Sequence, residues 1–295
     1  MPRKNIFQLV EENYDIQDEI QKIRKQFQTV RYFYDGKERW SLFHLVDDYF
    51  FLDWELRGTC LDAYEFLEKA NADFEDTDTY VEEERIINFL EVVENFISLC
   101  YANKEWMTEN RIQFDKYNFE DIFVSLVDTI EKRMGLTRRT YRDRVIIYHK
   151  HAPLERVIDL IEEEDVQWEL IRYVREDLSL SEKRKSLAYL ATCLYIEEDD
   201  NEKEEPIKSI VKKACNLLNN LHIRHNNKTG KWEKQAFKDL NEKDANALCD
   251  MVYNEMLTIV LLREHKEYEK IYSDFSTKQK EESKGKKKAK EQQNG

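Results

Sequence analysis

A chain of 295 residues is long enough to bury a sizeable core, and with six glycines and three prolines it has few places where regular structure must break. Its 37% charged residues beside 41% apolar ones are the composition of amphipathic helices, while the net charge of −14 argues against a general nucleic-acid or membrane-surface binder. The sequence holds no P-loop, no dinucleotide-binding glycine fingerprint, no GxSxG and no HExxH, which removes the commonest nucleotide-binding, serine-hydrolase and zinc-protease readings.

In chain order, Ile6, Leu9, Val10, Ile16, Ile20, Ile23 and Phe27 repeat at helical spacing and predict a long first helix over Asn5 to Phe27. Val30, Tyr32 and Tyr34 alternate up to Asp35-Gly36, and Trp40 follows, which reads as a short hairpin. Ser41 can cap a helix over Leu42 to Leu56, apolar over most of its circumference, with Asp47, Asp48 and Asp53 as its solvated edge. Thr79 with Glu82 makes a capping box ahead of the helix carrying Ile86, Phe89, Leu90, Val93, Phe96 and Ile97.

Phe119 to Met134 is a further helix, stopped by Gly135. Val145-Ile146-Ile147-Tyr148 reads equally as a short strand or a helix end. Beyond Pro153, three shorter helices cover Leu154–Ile161, Val166–Val174 and Leu180–Ile196, with Ser179 or Ser181 as caps. An acidic run from Glu197 to Glu205 reads as a linker. Two amphipathic helices follow, one through Ile207, Val211, Ala214 and Leu218, the other through Ala245, Leu248, Val252, Met256 and Ile259. No uninterrupted apolar stretch approaches ~20 residues, and the lysine-rich end from Lys278 should be disordered.

The expected architecture is therefore all-α: an irregular multi-helix bundle with at most one small β-hairpin and a disordered Lys-rich tail. The expected division is an amino-terminal helical domain, 1–205, a carboxy-terminal helix pair, 206–275, and a tail, 276–295. The five cysteines are far apart and odd in number, matching neither a disulfide framework nor a CxxC knuckle, so a reducing, cytoplasmic location is expected.

Two places gather imidazole and guanidinium groups, the pair that metal-free phosphodiester cleavage needs as general acid or base and as phosphate clamp. Arg224, His225 and Asn226 lie between the last two helices, and Arg142 or Arg144 precedes His149. The spacings Arg142 to His149 and Arg144 to His149 satisfy the motif of arginine, four to six residues, histidine, and Arg224-His225 matches its opening. In this the chain resembles the HEPN superfamily of all-helical bacterial proteins. The resemblance implies a phage-defence or toxin–antitoxin role, and a ribonuclease in which these arginines and histidines act.

The plainer expectation is a helical interaction protein. Five tryptophans, sixteen tyrosines and fifteen phenylalanines are more aromatic surface than a core needs, and Arg224 and His225 also suit a helix C-terminus. The partner expected is a protein, another chain or a second copy in a homodimer. RNA enters only with the ribonuclease reading, and neither a membrane nor a small-molecule cofactor is expected. No metal is expected either: Cys215, His222, His225 and Cys249 are zinc-ligand types, but both cysteines fall inside apolar stripes, where a thiol behaves as a small hydrophobe.

Overall fold

The computed structural model describes residues 14–75, 78, 80–197, 207–221, 223 and 240–293, with side chains described as far as 273 and at 276. The chain divides into two compact units, Met1–Lys150 and His151–Gly295. In the second unit the helices of 152–193 pack with the last two helices.

In the first unit, α1 (Ile16–Gln28) starts at Asp15, whose carboxylate accepts the Gln17 N–H at 2.8 Å, and buries Ile20, Ile23 and Phe27. Residues 1–13, the start of the expected first helix, lie outside the described residues. The expected hairpin is β1 (Phe33–Tyr34) and β2 (Arg39–Trp40), turned by Gly36 at φ +90° and by Asp35, which accepts the N–H groups of Lys37 and Glu38 at 2.8 Å each. A third strand, β3 (Gln113–Phe114), pairs antiparallel with β1, giving the order β2-β1-β3.

Helix α2 (Leu42–Tyr49) is capped by Ser41 and ends sooner than its sequence pattern. Phe50 and Phe51 are both buried there, and the chain turns through a short 3₁₀ segment, Glu55–Arg57, into α3 (Ala63–Lys69). Asp47 accepts the Ala63 N–H at 2.8 Å, a structural task for one of the helix's acidic residues.

Helix α4 (Glu83–Ala102) is the spine of this unit and buries Ile86, Phe89, Leu90, Val93, Phe96 and Ile97. Its N-cap is Glu82 without a side-chain bond, and Thr79, the expected capping residue, lies outside the described residues. A short α5 (Lys104–Glu109) follows. The expected Phe119–Met134 helix opens as a π-helical segment, Tyr117–Val124, and continues as α6 (Ser125–Arg133), with Gly135 at φ +68° ending it.

The run Val145 to Tyr148 resolves as strand: β4 (Leu136–Tyr141) and β5 (Arg144–His149) form a second antiparallel hairpin. Period could not decide this, because all four residues are buried. Helix α4 decides it by serving the free edge of β5. Asn95 donates to the Val145 carbonyl at 2.8 Å and accepts the Val145 N–H at 3.0 Å, and Glu91 accepts the Ile147 N–H at 2.9 Å. Asn95→Ala removes both bonds at once from a buried strand and is expected to cost about 2 kcal/mol in chemical denaturation; a loss below about 0.5 kcal/mol would show that water replaces the amide.

In the second unit, α7 (Ala152–Leu160) carries Pro153 in its first turn, and α8 (Glu164–Arg175) and α9 (Leu180–Cys193) follow. Of the two serines expected as caps, Ser179 caps α9, and it does so with a full capping box to Glu182. Helix α10 (Ile207–Asn220) and helix α11 (Glu242–Gln293) pack on each other, and α11 also packs on α7 and α9. Arg263 of α11 donates to the Leu194 and Tyr195 carbonyls at 3.2 and 3.1 Å, closing the C-terminus of α9.

Over Glu242–Ser273, α11 is long and apolar enough to cross a membrane by length and composition. Its apolar side chains Ala245, Cys249, Val252, Tyr253, Met256, Leu257 and Ile259 are nevertheless buried within the unit, which is how a core helix reads. Helix dominates as expected, with eleven α-helices among the described residues and short strands confined to two small sheets. The acidic run beyond Glu197 lies outside the described residues, as do the side chains of the expected tail beyond Ser276.

Candidate functional site

Four helices of the second unit converge on a polar cleft of about 310 Å³. The N-cap of α7 brings His151, the end of α8 brings Tyr173, Val174, Glu176 and Asp177, α9 brings Lys183, and α11 brings Asp250, Tyr253 and Asn254. One wall is the pair Tyr173 and Tyr253, stacked with centroids 4.3 Å apart and ring planes within 4°. Both rings are buried and both phenols are engaged: Tyr253 donates to the Leu170 carbonyl at 2.8 Å, and Tyr173 donates to Asp250 at 3.0 Å.

The same Asp250 oxygen, Oδ1, accepts from Lys183 at 2.7 Å, and the Lys183 ammonium lies 5.7 Å from the Tyr173 ring centre. Burial, then the Asp250 charge, holds the Tyr173 phenol far above its ordinary range, so it is a fixed donor and no base. Lys183 is largely covered, and its charge is committed to Asp250.

The open groups are different ones. Asp250 Oδ2 has no partner among the described residues, Asp177 has none at either oxygen, and Asn254 uses only its nitrogen, which donates to the Asp250 carbonyl. His151 Nδ1 is buried without a hydrogen-bond partner. With its histidine neutral the lining sums to −2, from Lys183 against Asp250, Asp177 and Glu176. No spacing motif marks this set, because its members come from four separate elements; the one visible signal was a tyrosine and an aspartate on the polar border of the α11 stripe.

Arg224, His225 and Asn226 lie outside the described residues. Arg142, Arg144 and His149 are on the β4–β5 hairpin and are not brought together. Arg142 is in the turn at φ +46° with its guanidinium 5.1 Å from the Tyr141 ring centre, while Arg144 and His149 stand at opposite ends of β5. An odd separation along a strand also points them to opposite faces, at a span of about 17 Å. His149 is exposed, with its Nε2 3.5 Å from a Glu83 carboxylate oxygen.

A second cluster in the first unit was missed by spacing altogether. Arg138 of β4 bonds Glu94 of α4 and reaches Asp128 at 2.7 Å and Glu131 at 3.6 Å, both on α6. Burial pushes the Glu94 carboxyl up to about 7 and the Glu131 carboxyl up to about 6, with Arg138 pulling both the other way. Among the described residues, Glu94, Asp128 and Glu131 are the group whose carboxylates lie close enough to hold a metal ion. The guanidinium already fills that role as a built-in cation, so the donor set fits an internal ion cluster rather than a metal.

The zinc-ligand types fare similarly. Cys215 is buried and donates to the Ile196 carbonyl at 3.6 Å, and burial lifts the Cys249 thiol to about 11, away from the thiolate a metal requires. His222 and His225 lie outside the described residues.

The fold and cleft together define a helical two-unit protein with a polar recess in its carboxy-terminal unit. No family model, no curated protein and no solved structure matches the chain.

Proposed function

We propose that this is a helical interaction protein, which pairs with a second copy of itself through the outer face of distal α11. One observation carries the reading: Tyr268, Ile271 and Tyr272 are 55%, 64% and 73% exposed, three and four residues apart on one helical face. Large aromatic and aliphatic side chains so placed are the usual anchors of helix pairing.

Charge selects the partner. Lys266, Glu267, Glu269 and Lys270 of the same stretch sum to zero, in a chain that carries −14 in all. Two copies meet here without the repulsion that opposes contact elsewhere, and an antiparallel pair sets Glu267 of each against Lys270 of the other. Sedimentation equilibrium at about 50 μM is expected to give a dimer, and the Tyr268→Ser, Tyr272→Ser double variant a monomer. A wild-type protein still monomeric at about 1 mM would overturn the pairing.

The phage-defence or toxin–antitoxin setting follows from the HEPN resemblance, and the cytoplasm from cysteine usage; both belong to this proposal. The ribonuclease alternative rests on Arg224, His225 and Asn226. Total RNA incubated without divalent metal, beside Arg224→Ala and His225→Ala, tests it: cleavage lost in the variants establishes the enzyme, and intact RNA in every sample removes it.

A further inference from the structure

We infer that the cleft between α7, α8, α9 and α11 is a binding site for an organic cation, an alkylammonium or guanidinium group carried on a short alkyl chain. The inference is independent of helix pairing through distal α11 and uses none of its residues.

The cleft leaves several acceptors unsatisfied. Asp250 Oδ2, both oxygens of Asp177 and Asn254 Oδ1 are acceptors without donors among the described residues, and all line one recess. Among the described residues of the lining, the one cation, Lys183, is spent on Asp250 Oδ1. An anionic ligand would therefore meet a surface of the wrong sign, whereas a ligand rich in N–H donors completes the set.

The wall sets the rest of the ligand. The rings of Tyr173 and Tyr253 have their hydroxyls tied away, so what they contribute is apolar surface, to which methylenes are suited. That surface already tolerates a cation, since the Lys183 ammonium sits 5.7 Å from the Tyr173 ring centre. At about 310 Å³ the space matches one aminoalkyl chain and is at the small end for ligand pockets.

A bare metal ion suits the site less well. Among the described residues, Glu94, Asp128 and Glu131 of the other unit are the set of three whose ligand atoms come close enough to share one ion, and the cleft offers no such set of three. An ammonium or guanidinium, whose several N–H groups reach separate acceptors, needs no such set. The cation could be a free polyamine or the side chain of a lysine or arginine in a peptide, and the chemistry recognised is the same.

Isothermal titration calorimetry on the full chain separates the sources, with spermidine in one arm, N-acetyl-lysine methylamide in a second and magnesium chloride in a third. Binding of either amine, with a dissociation constant of about 0.1–1 mM that weakens with salt, is the expected result. Spermidine alone binding assigns the site to free polyamines, and the lysine amide alone assigns it to a side chain. Asp177→Asn is the variant to read, because Asp177 is exposed and makes no structural bond, so circular dichroism should be unchanged while affinity falls about tenfold. No heat from either amine at about 10 mM, amine binding that Asp177→Asn leaves untouched, or magnesium displacing the amine at equal concentration would each overturn the proposal.

Discussion

Arg138→Met is expected to lower stability by about 3 kcal/mol at pH 8 and by much less at pH 5, read as the shift in urea midpoint at the two pH values. Glu94 and Glu131 are only 6% and 5% exposed, and Arg138 is the cation that faces both, with Asp128 as the third carboxylate. Removing the guanidinium leaves buried acids that must either hold a proton or carry an uncompensated charge. The figure is kept at the low end for a broken buried pair because the Arg138 side chain is itself 37% exposed, where solvent screens it.

The sign of the pH effect follows from the direction of the shifts. The folded protein holds the Glu94 and Glu131 protons up to about 7 and about 6, above their unfolded value of 4.5. Their contribution to stability is therefore fully present below about 4.5 and is lost as pH rises through those two values. At pH 5 both acids are largely neutral in the fold and have little need of the arginine; at pH 8 both are charged and depend on it. Glu94→Gln, which cannot ionise, should flatten the wild-type decline between pH 5 and pH 8. Equal losses for Arg138→Met at both pH values would show that the residue acts by packing and not by charge.

Phe27→Ala is expected to cost about 4 kcal/mol. The Phe27 ring is fully buried, with the ring centres of Phe43, Phe89 and Phe96 at 5.5, 5.6 and 5.6 Å, so one side chain of α1 is held by α2 and by two turns of α4. Its removal deletes three aromatic contacts and leaves a void that stiff neighbouring rings cannot close. Phe27→Leu, which refills most of the volume, should cost about a third as much. Thermal denaturation of the two variants decides it; if both lose the same amount, the aromatic contacts rather than the filled volume carry the effect.

The local features that held were those whose cause is local. Asp35-Gly36 turns the first hairpin because an aspartate can accept the N–H groups two and three residues on and a glycine can take a positive φ, and both facts are carried by nearby residues. Gly135 ends a helix and Ser179 with Glu182 begins one for similar reasons. The apolar stripes of α1, α4, α10 and α11 were equally legible, since a period near 3.6 is written in the order of residues.

Position in the fold was not. Val145 to Tyr148 carries no usable period, and it became a strand because Asn95 and Glu91, some fifty residues earlier, satisfy its outer edge. Arg138 stood in the sequence as one of several arginines in a basic segment, and only the approach of α4 and α6 made it the counter-ion of two buried acids. Arg142, Arg144 and His149 met a spacing rule, yet a strand rise of about 3.3 Å per residue carries Arg144 and His149 to opposite ends of β5.

Sequence alone thus determined which stretches coil, where several of them stop and which faces seek cover, because those properties depend on neighbours within one or two turns. The tertiary structure alone decided where the chain divides and which polar groups meet: His151, Asp177, Lys183 and Asp250 around one recess, Glu94, Glu131 and Arg138 around another charge. Such meetings are fixed by how helices pack, and packing selects partners by shape and burial over distances along the chain that no local pattern records.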